Sequence, residues 1–219
     1  MAAGRRTARD RRRRELGQNF LRTGLAEQLI AEARVEPGEV VVDIGAGSGA
    51  LSIACARRGA TVFGIEIDPL WTARLRERSL RDQLNSLHVV HDDGLRWPLP
   101  TRPFRVVACL PFGITTAILR RLLDDPSSQL TRADLIVQIE VARKRSATPP
   151  STLLSTIWAP WWAFELGRVL PARSFRPVPD VDAALLIVRR RSPPLLPVSM
   201  TVGYASFLRN NWPFSPPRS

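Results

Sequence analysis

Val40-Val41-Val42-Asp43-Ile44-Gly45-Ala46-Gly47-Ser48-Gly49 is the stretch on which the fold turns. A short β-branched run leads into three alternate glycines, and Leu51–Arg58 then reads as a helix. Strand, glycine turn and helix in that order open a βα unit. Glycine allows a tight turn and lets a ligand approach the backbone without a Cβ in the way. The spacing is Gly-x-Gly-x-Gly, not the Gly-x-Gly-x-x-Gly of dinucleotide sites, and Asp43 stands just before it. A carboxylate there would repel a pyrophosphate and suits a cationic ligand, such as a sulfonium, better. Glu66 follows Gly49 by 17 residues, at the end of the next strand. A carboxylate in that place can accept both ribose hydroxyls of an adenosine ligand. Asp93, after the third strand, can accept an adenine amino group; Asp92 beside it is the alternative.

Outward from this core, Leu25–Ala33 has helical spacing, Thr61–Ile67 is a strand and Pro69–Leu80 a helix. Leu87–His91 and Phe104–Leu110 read as strands, Thr115–Leu123 as a helix and Asp134–Ile139 as a fifth strand. Strands alternating with helices predict an α/β fold, a doubly wound and mostly parallel sheet. Beyond Glu140 the pattern weakens. Arg143-Lys144-Arg145 and Ala147–Ser151 read as a mobile loop, and Leu185–Val188 as a strand. Leu153–Leu166 is rich in tryptophan, and core packing is the expected role of at least two of Trp158, Trp161 and Trp162. Pro193, Pro194 and Pro197 mark a linker, and Val202–Leu208 is a short helical candidate.

Three segments follow: a basic arm over 1–14, expected to be disordered; one domain over 15–192; and a Pro-rich linker with a truncated helical appendage over 193–219. The arm holds seven arginines against Asp10, and the 219-residue chain has a formal net charge of +12. Such an excess points to a polyanionic partner. Nearly all of it is arginine, since Lys144 is the only lysine. The two cysteines and two histidines lack metal-ligand spacing, so no metal is expected. No apolar run is long enough for a membrane span, and no apolar region follows the basic arm as in a secretory signal. A cytoplasmic chain is the expectation.

Cys109-Leu110-Pro111-Phe112 closes the fourth strand and resembles the Asn-x-Pro-aromatic motif of amino-group methyltransferases. Leu16-Gly17-Gln18-Asn19-Phe20-Leu21 is similar to the opening signature of the rRNA adenine N6-dimethyltransferases. Gln138-Ile139-Glu140-Val141-Ala142-Arg143 resembles their fifth-strand motif, and Phe175-Arg176-Pro177-Val178-Pro179-Asp180-Val181-Asp182 their F-x-P-x-P-x-V-D segment. The resemblance covers residues 16–191. Pro111–Thr116 and the tryptophan-rich Trp158–Phe164 look more like the Erm type than the KsgA type.

The resemblance implies a seven-stranded Rossmann-like methyltransferase sheet and an S-adenosylmethionine cofactor. The implied reaction is methylation of N6 of an adenine in the peptidyl-transferase loop of 23S rRNA. With it would come resistance to macrolides, lincosamides and streptogramin B. It places Gln18, Asn19 and Leu21 beside the cofactor, and Gly45 and Gly47 along its methionine part. Glu66 would hold the ribose, Ile67 would pack on the adenine, and Asp93 would accept its amine. Phe112 would stack on the target base, Pro111 would complete the catalytic turn, backbone carbonyls of Leu110 or Cys109 would hold the amine, and Cys109 would also border the cofactor. Arg11, Arg12, Arg13, Arg14, Arg143, Lys144 and Arg145 would meet RNA phosphate, the chain acting as a monomer. Cys109 stands where the family has Asn, and a thiol accepts hydrogen bonds poorly. Reduced turnover or a bias to monomethylation is therefore expected. The alternatives are a 16S rRNA dimethyltransferase of the KsgA type, a catalytically impaired RNA-binding module, and a DNA adenine methyltransferase, against which the Gln18–Leu21 opening and the Val181-Asp182 segment argue.

Overall fold

The computed structural model describes residues 20–212. The arm residues Arg11, Arg12, Arg13 and Arg14, and the cofactor candidates Gln18 and Asn19, lie outside the described residues. In chain order the strands are β1 (Phe20–Leu21), β2 (Val40–Ile44), β3 (Thr61–Glu66), β4 (Leu87–His91) and β5 (Phe104–Cys109). They continue as β6 (Leu130–Gln138), β7 (Trp162–Leu170), β8 (Phe175–Arg176) and β9 (Ala183–Arg190). The α-helices are α1 (Thr23–Ala33), α2 (Ala50–Arg57), α3 (Pro69–Arg81), α4 (Thr115–Leu123), α5 (Ile139–Ser146), α6 (Leu153–Trp158) and α7 (Thr201–Asn211).

Seven strands form one sheet in the order β4-β3-β2-β5-β6-β9-β7. Neighbours from β4 to β6 pair in parallel, whereas β9 runs antiparallel to both β6 and β7. This is the doubly wound, mostly parallel seven-stranded architecture expected. Side chains alternate across β2: Val41 joins the core layer of α1 and α2, while Val40, Val42 and Ile44 join that of α4 to α7. Burial on both faces explains why β2 is continuously apolar up to Asp43.

Several boundaries differ from the sequence reading. Strand β6 begins at Leu130, four residues earlier than the pattern predicts, because its polar start is internally paired. Arg132 bonds Asp134 through Nη2 at 2.7 Å, and lies across the ladder from Arg189, which is itself paired with Glu165. Arg143, Lys144 and Arg145 sit in helix α5, not in a loop. Ala142 anchors that helix in the core, and Arg143 bonds Glu140 at 2.8 Å, one turn back. Trp162–Leu170 is a full strand whose alternation is broken by a bulge between Leu166 and Val169.

All three clustered tryptophans are core residues, as expected, and each indole N–H is used. Trp158 donates to Asp124 Oδ1 at 2.7 Å, Trp161 to the Leu196 carbonyl at 3.0 Å and Trp162 to the Leu123 carbonyl at 3.2 Å. The proline-rich segment after β9 is held against this layer. Leu195 N–H donates to the Pro160 carbonyl at 2.8 Å, and α7 buries Ala205 and sets Tyr204 edge-on to Trp161. At the N-terminal edge of the sheet, Arg105 is buried with Asp134 at 3.2 Å and Glu39 at 2.9 Å. Its guanidinium also donates to the carbonyls of Ala33 and Arg34. That paired charge is structural and lies away from the C-terminal strand ends.

Candidate active site

In a parallel sheet the C-terminal ends of neighbouring strands open on one edge, where ligands bind. Here that edge carries the glycine loop after β2, Glu66 ending β3, Asp93 beyond β4 and Cys109 ending β5. Gly47 has φ +54°, and a Cβ there would stand 2.9 Å from the Phe20 ring. At Gly49, with φ +79°, a Cβ would stand 2.1 Å from the Leu75 methyl of α3, so a side chain there would strain the turn and displace Leu75.

Each carboxylate of the site is oriented by backbone N–H groups. Glu66 accepts from Gly47 N–H at 2.7 Å through Oε2 and from Asp68 N–H at 2.8 Å through Oε1. Burial raises its pKa against these hydrogen bonds, which lower it. Asp93 Oδ1 accepts from Leu95 N–H at 2.9 Å, while Asp92 Oδ1 is turned onto the Asp93 N–H at 2.7 Å. Asp43 Oδ2 accepts from Ser52 N–H at 3.1 Å and from Ser52 Oγ at 2.6 Å. Its other oxygen, Oδ1, is buried with no hydrogen-bond partner. Burial is the main cause that pushes the Asp43 carboxyl up to about 7, with the Glu66 charge adding to it.

The opposite wall is apolar. Leu110 N–H bonds the Ile136 carbonyl at 3.0 Å, which continues the β5–β6 pairing into the turn. Pro111 then ends the strand, and Phe112–Ile114 form a single 3-10 turn before α4. Thr115 Oγ donates back to the Pro111 carbonyl at 3.2 Å and ties the turn to the helix. Burial pushes the Cys109 thiol up to about 12, and the Asp43 charge adds to it. The thiol therefore stays protonated near neutrality.

These residues surround one cleft of about 440 Å3. Leu21, Gly45, Gly47, Glu66, Ile67, Asp93, Cys109, Leu110, Pro111 and Phe112 all line it; Asp92 does not. Asp43, read from the sequence as suiting a cationic ligand, lines it too, as do Phe20 and Phe175, to which the sequence reading assigned no site role. Phe20 and Phe175 lay inside the quoted motifs, but nothing in their spacing shows that both reach one cleft. Strands β1 and β8 pair antiparallel, Phe20 with Arg176 and Leu21 with Phe175. Among the basic candidates, Arg143 and Lys144 are exposed. Arg145 is turned inward: it donates to Thr152 Oγ at 2.8 Å, stands 5.4 Å over the Trp158 ring, and burial lowers its pKa. Among the described residues no group of three His, Cys, Asp or Glu side chains could hold a metal ion. No helix among them is long and apolar enough to cross a membrane.

The sheet order, the glycine loop and the carboxylates at successive strand ends define an S-adenosylmethionine-dependent methyltransferase fold. The family described as Ribosomal RNA adenine dimethylase matches residues 9–211, and the chain belongs to it. An rRNA adenine N-6-methyltransferase of Corynebacterium diphtheriae is 36% identical over 196 residues, spanning 90% of this chain and 76% of that protein. The mycinamicin-resistance protein MyrB of Micromonospora griseorubida is 38% identical over 198 residues, spanning 90% of this chain and 62% of its own length. The crystal structure of the 23S rRNA methyltransferase ErmE superposes with a TM-score of 0.77 at 32% identity, covering 87% of this chain and 78% of that one. The chain thus spans less than two-thirds of the length of several curated relatives it matches.

Proposed function

We propose that this protein transfers methyl groups from S-adenosylmethionine to N6 of an adenine in the peptidyl-transferase loop of 23S rRNA. The observation that carries the reading is the single cleft in which Glu66 and Asp93 face the Cys109–Phe112 turn. Similarity to relatives named for rRNA adenine methylation, mycinamicin resistance and 23S rRNA methylation supports the choice of RNA and base.

The residues fit the cofactor. A cleft of about 440 Å3 lies in the size range of small-ligand sites. The buried Asp43 Oδ1, lacking a partner, suits a positively charged ligand. Glu66 would take the ribose hydroxyls, Ile67 the adenine face and Asp93 the adenine amine. Gly45, Gly47 and Leu21 would line the methionine part. When bound, S-adenosylmethionine supplies an electrophilic methyl group.

On the other wall, Phe112 would stack on the extruded adenine, and Pro111 would hold that ring at the strand end. Backbone carbonyls of Cys109 and Leu110 would accept the amine protons, because a protonated thiol accepts weakly. They would aim the nitrogen lone pair at the methyl, and the rate would come mainly from positioning. Arg143 and Lys144 would meet RNA phosphate, with Arg11 to Arg14 in supporting roles. Helix α7 would begin the C-terminal RNA-binding region. A cytoplasmic monomer is part of the same proposal.

Expression in a macrolide-sensitive bacterium tests it. Resistance together with a new primer-extension stop in 23S rRNA is expected. A stop in 16S rRNA would move the substrate to the small subunit. Cofactor binding with no methylation of either RNA would make the chain an impaired RNA-binding module.

A further inference from the structure

The partly exposed Phe20 stands in a closed ring of contacts on the cofactor side of the cleft. Its Cε1 lies 2.9 Å from where a Cβ on Gly47 would stand, so any side chain there would push the ring away. The same ring meets Trp71 at 4.3 Å between centroids, tilted by 46°. Trp71 in turn carries the Arg74 guanidinium, 5.0 Å from its ring centroid. Trp71 is the third residue of α3, and the start of α3 is tied to Glu66. Asp68 N–H donates to Glu66 Oε1 at 2.8 Å, and Asp68 caps the helix by accepting from Leu70 N–H at 3.0 Å. Gly47 N–H donates to Glu66 Oε2 at 2.7 Å and closes the ring.

The glycine loop and the α3 start are therefore joined twice. One tie is polar and buried, through Glu66; the other is aromatic and partly exposed, through Phe20 and Trp71. The polar tie uses hydrogen bonds of the carboxylate that would also face the ribose. The aromatic tie supplies the constraint that keeps that carboxylate pre-oriented. Trp71 does not line the cleft, so its influence runs through Phe20.

We propose that Trp71 is a positioning residue for the cofactor: backed by Arg74, it clamps Phe20 and strand β1 onto Gly47. The inference rests on the reading of the cleft as the S-adenosylmethionine site. A lost clamp costs cofactor affinity and leaves the transfer step intact once cofactor is saturating.

Calorimetric titration of the full chain with S-adenosylmethionine and S-adenosylhomocysteine is the test, paired with methylation kinetics on a transcribed 23S rRNA fragment. Trp71→Ala is expected to weaken both ligands about tenfold. It should raise the cofactor KM in parallel and change kcat at saturating cofactor less than about twofold. Trp71→Phe, which keeps a ring, is expected to recover most of the loss. Should Trp71→Ala fail to fold, Trp71→Leu takes its place and is read in the same way. Unchanged affinity in the folded variant, or a fall in kcat with affinity intact, overturns the clamp while leaving the cofactor site standing. Failure of the unaltered protein to bind either ligand overturns the reading of the cleft itself, and the clamp with it.

Discussion

The two walls of the cleft are built to different standards. On the cofactor wall, Glu66 and Asp93 are both held by backbone N–H groups, and Glu66 by two of them. On the target wall the aromatic ring and the proline are in place. The side chain at the strand end is a thiol held protonated by burial and by Asp43. Acceptors oriented by backbone need no reorganisation to bind, whereas under the proposed function a target amine would rely on backbone carbonyls alone. On the proposed function, the difference would make cofactor binding and methyl transfer separable, each resting on its own wall.

The largest test of this contrast is Glu66→Ala. It removes a charged acceptor for two hydroxyls and leaves the Gly47 and Asp68 N–H groups without it. S-adenosylhomocysteine affinity is expected to fall about 100-fold by calorimetry. A loss under about fivefold would break the assignment of the ribose to this carboxylate. Cys109→Asn comes next. Restoring the amide acceptor should raise single-turnover methylation about tenfold, measured by tritium transfer, with cofactor affinity within about twofold. An unchanged rate would mean that the backbone carbonyls already suffice and that the walls are equally complete.

The smallest effect concerns pH. Asp43 sits near 7 in the free protein, so it is largely neutral at pH 6 and largely ionised at pH 8. A cationic ligand favours the ionised form, so S-adenosylmethionine should bind about fivefold tighter at pH 8 than at pH 6. S-adenosylhomocysteine lacks the sulfonium charge and should gain much less. In Asp43→Asn the two ligands should show the same pH dependence. A ratio of affinities that stays flat in the unaltered protein would remove Asp43 from the charge balance of the site.

Much of this site was legible because its chemistry is local. Asp43, the glycines, Glu66 and Asp93 each follow a strand within a few residues, and a parallel sheet brings such ends to one edge. The basic run Arg143–Arg145 was misread as a loop because its polar composition hides the one buried contact, at Ala142, that anchors α5. Strand β7 was obscured by a bulge and by its place at the sheet edge, where alternation is weakest. Arg145 looked like a phosphate ligand by charge alone; only its packing over Trp158 turns it inward.

By itself, then, the sequence determined the α/β alternation, the glycine loop, the carboxylates at or just beyond the ends of β2, β3 and β4, and the thiol at Cys109. Periodicity, turn chemistry and side-chain donor sets are properties of short segments, and they survive without knowledge of the rest. Only the tertiary structure decided that β1 and β8 pair so that Phe20 and Phe175 both line the cleft, and that Trp71 reaches Phe20. It also decided that Asp43 keeps one oxygen buried without a hydrogen bond. Those features depend on contacts between distant segments and on desolvation, which exist only once the chain has closed on itself.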